Sequence, residues 1–89
     1  MRAFAWQDAP PVDALTVAHL GDLFDLDVQP EFLLVGTGAA LRQPPRAFVR
    51  ELEGRGIGVE VMDSRAAARA WGVLRAEERW IVAALMPLV

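Results

Sequence analysis

Cysteine is absent from this 89-residue chain, which excludes disulfide staples, thiolate metal sites and cysteine nucleophiles together. Tyrosine is absent as well, and a single histidine, His19, cannot assemble a His-rich metal constellation or a two-histidine relay. The longest apolar run, Trp80 to Val89, is about half of what a bilayer crossing requires and is interrupted by Pro87, so it reads as a strand. The N-terminus has neither the basic start and apolar run of a secretory signal nor the arginine-rich, acid-poor character of a transit peptide. A bacterial-type cytoplasmic location is therefore expected.

What is present is the composition of a folded globule, 54% hydrophobic against 24% charged. The length fits one domain, residues 1–89, with a core that must be used economically. The formal charge of −3 conceals an asymmetry. Residues 1–31 hold six acids and one base, Arg2, whereas residues 32–89 hold six acids and eight arginines spread over two predicted helices. Dispersed arginines make no nucleic-acid footprint, and nucleic acid is not an expected partner.

Along the chain, Ala3–Gln7 reads as a short edge strand that stops before Pro10-Pro11. From Thr16, a plausible N-cap, the residues Val17, Leu20, Leu23 and Phe24 fall at helical spacing, with Gly21 a weak point. Phe32-Leu33-Leu34-Val35 is a continuous apolar run bounded by Pro30 and Gly36, as expected of a strand buried on both faces at the centre of a sheet. Pro44-Pro45 sits just ahead of and in the first turn of a helix that carries Phe48, Val49 and Leu52 inward and ends at Gly54 or Gly56. Ile57–Met62 is a second strand. The strand, crossover, strand order over residues 31–62 predicts a βαβ unit with parallel pairing. Asp63 or Ser64 caps a third helix with the stripe Ala66, Ala67, Ala70, Trp71 and Leu74, and Arg79–Leu85 is a last strand. The class is α/β, a small layered domain with flanking helices.

Gly36-Thr37-Gly38 stands at the carboxyl end of the first buried strand, where open α/β sheets tend to place ligands. Its glycines let a ligand approach the backbone, Thr37 offers a hydroxyl, the following helix start offers N–H groups, and Arg42 offers charge for a small anion. The competing reading is a tight turn and nothing more. Leu41 stands where a dinucleotide fingerprint needs its third glycine and no Walker A loop is present, so no nucleotide or other cofactor is expected. Asp63-Ser64 should lie on the same sheet edge, either for acid-base work or, more simply, to cap a helix. No histidine is placed to complete a serine triad. His19 reads as a surface residue, Trp71 and Trp80 as packing, Arg65, Arg69 and Arg75 as a solvated face, and Glu77-Glu78 as a turn.

Residues 30–38 (Pro-Glu-Phe-Leu-Leu-Val-Gly-Thr-Gly), residues 56–64 (Gly-Ile-Gly-Val-Glu-Val-Met-Asp-Ser), Ala66-Ala67, Arg69, Leu74, Glu78 and Arg79 together resemble a family of small domains of unknown function. That family includes bacterial and archaeal proteins, the mitochondrial complex I assembly factor 3 and the adipogenesis-associated domain protein of animals. The similarity runs from about Trp6 to Leu88. It implies a compact α/β domain with a mixed, partly parallel sheet, a role in assembly or protein interaction, and no established enzyme activity. It maps the family's strand-end Gly-Thr-Gly onto Gly36, Thr37 and Gly38, and its Asp-Thr or Asp-Ser step onto Asp63 and Ser64. The chain departs from the family in having Trp71-Gly72 where an aromatic-Asn step is usual. Relatives also usually carry a strand pair ahead of the segment equivalent to Phe4–Trp6, whereas this chain starts almost on top of it. An uncovered sheet edge invites pairing with another chain, so a homodimer is expected.

The residues and the resemblance together favour a protein-interaction or assembly module over catalysis. The alternative is a small-molecule or anion-binding domain using the loop 36–42 with Asp63 and Ser64.

Overall fold

The computed structural model describes residues 2–5, 10–24, 30–77 and 80–88. The strand Phe32–Gly36 (β2) forms where the apolar run was expected, and all of it from Leu33 onward is buried. Helix Arg46–Gly54 (α1) follows. Its entry is set by Pro45, whose fixed φ of −56° lies just outside the helix at the N-cap, so both prolines precede the first turn instead of occupying it. Its exit is set by Gly56, whose φ of +81° is a conformation glycine adopts without steric cost.

Strand Gly58–Met62 (β3) then pairs in parallel with β2, Leu34 opposite Glu60 and Gly36 opposite Met62. This is the predicted βαβ unit. Helix Ser64–Ala76 (α2) leads to strand Ile81–Leu85 (β4), which pairs in parallel with the other side of β2. Strand Arg2–Ala5 (β1) lies outside β4, also parallel, giving the order β1-β4-β2-β3 with β1 at an edge as expected. Trp6, Gln7 and Arg79, predicted to extend β1 and β4, lie outside the described residues, as does Glu78 of the predicted turn.

The described strand pairs are all parallel, where a mixed sheet was expected. Successive strands are joined by a crossover that returns the chain to the same end of the sheet, through α1, through α2, or through the segment between β1 and β2. In that last segment the structure has two 3-10 helices, Val12–Ala14 and Val17–Phe24. The second was predicted as a helix with Thr16 as its N-cap. Instead the Thr16 N–H donates to His19 Nδ1 (3.0 Å) and Thr16 Oγ1 lies 3.1 Å from the same nitrogen, so the threonine side chain is turned to a side chain and not to the helix. Gly21 in the middle further disfavours α-helix.

Alternation along β2 and β4 builds two cores of unequal depth. Leu33, Val35, Val82 and Ala84 point to one face, where Phe48 and Leu52 of α1 and Val12, Leu15 and Leu20 of the 3-10 segment cover them. Leu34 and Ala83 point to the other face, where α2 covers them with Ala67 as its fully buried contact. Phe32, Met62, Ala70, Trp71 and Leu85 are only partly buried around that second core. Among the described residues one helix covers this face of the four-stranded sheet and leaves part of it thinly covered, where the groove described below lies.

Candidate functional site

The carboxyl ends of β2, β3 and β4 bring together Gly36, Thr37, Gly38, Asp63 and Ser64. They are joined mainly to one another. Ser64 is 7% exposed, and its hydroxyl donates to Met86 O (2.7 Å) and accepts from Gly38 N–H (2.8 Å), so one oxygen ties the chain after β4 to the chain after β2. Ser64 N–H donates to Gly38 O (2.8 Å), closing a reciprocal pair. Thr37, 6% exposed, donates its N–H to Met62 O (2.8 Å), and its Oγ1 lies 2.7 Å from Ala40 O and 3.2 Å from Met62 O while accepting from Arg42 N–H (3.1 Å). Among the described residues no buried side-chain nitrogen or oxygen lacks a partner.

The glycines are explained by the same closeness. A Cβ on Gly36 would stand 2.9 Å from Ser64 Oγ and 3.0 Å from Ser64 Cα, the second a backbone atom that cannot swing aside. Gly38 has φ +94°, and a Cβ there would meet Pro87 O at 3.0 Å. Asp63 caps α2, its Oδ1 accepting from Ala66 N–H (3.0 Å). Arg42 reaches this cluster through its backbone N–H, and its side chain is exposed. The arrangement is a latch that fastens three strand ends and the start of α2.

A different feature lies on the thin face. A groove of about 510 Å³ runs between α2 and the β2–β3 edge of the sheet, floored by Phe32, Leu34 and Met62 and walled by Ala70, Val73 and Leu74, with Glu60 the one charged lining residue among those described. Val73, on the helix wall of the groove, is 60% exposed. The sequence pattern assigned Ala66, Ala67, Ala70, Trp71 and Leu74 to the stripe of α2 and passed over Val73 and Glu60. The available signal was the width of the stripe, which Val73 extends beyond what one sheet contact needs. A smaller hollow of about 400 Å³ beside Asp13, Thr16, Phe48 and Glu51 carries carboxylates and, among the described residues, no basic group. Among the described residues no group of three or more metal-ligating side chains is present, and no helix is long and apolar enough to cross a membrane.

The model of a family described as a protein of unknown function (DUF498/DUF598) matches residues 1–86. The chain belongs to that family. One relative, NADH dehydrogenase (ubiquinone) 1 alpha subcomplex assembly factor 3 of Danio rerio, is 37% identical over 73 residues, 82% of this chain and 42% of the relative. An uncharacterized protein of Rhodobacter capsulatus is 40% identical over 60 residues, 67% of this chain and 48% of its own. The chain thus spans less than half the length of these curated relatives. Among solved structures, a crystal structure from Bordetella parapertussis superposes with a TM-score of 0.78 at 40% identity, covering 90% of this chain and 67% of that one. A solution structure from Bordetella pertussis, described as a Mth938-like domain, gives 0.62 at 48% identity over 67% of this chain and 38% of that one. These likenesses agree with the α/β class.

Proposed function

We propose that this family member is a protein-interaction or assembly module that presents the groove between α2 and the β2–β3 edge to a protein partner. The observation that carries the proposal is the exposed apolar wall at Val73 beside a floor of Phe32, Leu34 and Met62, next to a sheet edge. A relative that is itself an assembly factor adds support. The strand-end loop, by contrast, spends its Thr37 and Ser64 hydroxyls and its Gly38 N–H on internal bonds. That leaves the small-anion reading to the exposed Arg42 side chain and the loop around it.

The sequence contains no lysine, so amine-directed cross-linkers find no side-chain amine to react with. A photoreactive benzophenone residue in place of the exposed Ala76, one helical turn from Val73, reads the face directly in the native host, with Arg50 on the outer face of α1 as the control position. Protein adducts at position 76 that disappear in Val73→Glu, with none at position 50, are the expected result. Absence of adducts at 76, together with a thermal shift by phosphate that is lost in Arg42→Ala, would overturn the proposal in favour of an anion site.

A further inference from the structure

The charges beside the groove have a symmetry that narrows its occupant. Arg69, Val73 and Glu77 fall at successive intervals of four residues, which is one row along a helix, and all three are exposed. Eight residues apart, Arg69 and Glu77 are separated by about 12 Å of helix rise and are too far from each other to pair within the chain. Neither forms an ion pair with a described residue. A base and an acid at equal distances on either side of an exposed apolar residue form a pattern that complements itself when two copies run antiparallel. Such a pattern suits an interface in which each partner offers the same patch.

We infer that a second copy of this chain covers the groove, its α2 lying antiparallel on the first with the two Val73 side chains at the two-fold axis and each Arg69 facing the Glu77 of the other copy. The inference rests on the reading of this face as a docking surface and names its partner. Each Val73 then packs on the Val73 of the other copy over the helix wall of the groove, beside Ala70 and Leu74, and is withdrawn from water. The Arg69–Glu77 pairs lie at the rim, where they set orientation more than affinity. A parallel arrangement would bring Arg69 against Arg69 and Glu77 against Glu77, which the like charges oppose.

Sedimentation equilibrium of the full chain over a micromolar concentration series tests this. The wild type is expected to be a dimer, and Val73→Glu is expected to weaken self-association about tenfold or more. Arg69→Glu and Glu77→Arg each place like charges opposite one another and weaken the dimer, whereas the double variant Arg69→Glu/Glu77→Arg restores it. All of these positions are exposed, so the variants should retain the wild-type far-ultraviolet circular dichroism spectrum, which separates loss of association from loss of folding. A wild type that stays monomeric throughout would overturn the inference, and so would a dimer indifferent to Val73→Glu or a double variant no better than the singles. A monomer that still forms adducts with other proteins at position 76 would overturn the second copy as partner while leaving the interaction module standing. Absence of any protein adduct there would remove both.

Discussion

Ser64 shows how far a single side chain can be read from sequence. Its place after β3 and before a helix is local information, and the Asp63-Ser64 step was legible as a cap; Asp63 fills that role with its carboxylate on Ala66 N–H. The bonds that define Ser64 reach Gly38 and Met86, 26 and 22 positions away, and no local pattern encodes them. Gly36, Thr37 and Gly38 were legible as the strand-end loop. That their polar atoms face inward depends on how closely Ser64 approaches, which only the assembled sheet fixes. Gly72 is the opposite case. It sits exposed in α2, and a Cβ there meets nothing within 4 Å. Gly72→Ala should therefore stabilise the protein by roughly 0.5–1 kcal/mol, seen as a rise of several degrees in Tm, because alanine loses less backbone entropy in a helix.

At the scale of elements, the buried run Phe32–Val35, the βαβ unit and the third helix were legible because each carries a strong period or a clear stop signal. The segment Val17–Phe24 was legible as helical but not as 3-10, since its hydrophobic spacing does not separate the two windings and the Thr16–His19 contact is a matter of side-chain geometry. The orientation of β1 was not legible at all, because parallel pairing with β4 joins residues some eighty positions apart. The start of α2 carries much of the fold's connectivity, receiving the Asp63 cap and holding the Ser64 latch side by side. Asp63→Ala should cost about 1 kcal/mol and raise amide exchange at Ala66 first, as the N–H that loses its acceptor; exchange spread evenly over the sheet instead would mean that the cap supports more than the helix start.

At the scale of the molecule the described residues set two contrasting places apart. The strand-end cluster fastens β2, β3, β4 and α2 and turns its polar atoms inward, while the thinly covered face of the sheet turns apolar surface outward at Val73. The sequence located the first and missed the second, because a groove is set by how much sheet one helix fails to cover, a property of packing and not of any segment. Thermal unfolding of Ser64→Ala and Val73→Glu beside the wild type, at a concentration low enough for all three to be monomeric, tests this division most directly. Removing the Ser64 hydroxyl strands a buried N–H and a carbonyl, at a cost of about 1–3 kcal/mol, and should lower Tm by on the order of 4 °C or more. An exposed Val73→Glu should leave Tm within about 2 °C of wild type. A Ser64→Ala protein as stable as wild type, or a Val73→Glu protein that melts early, would contradict the account, the first by freeing the strand-end loop for a ligand and the second by making the groove part of the core.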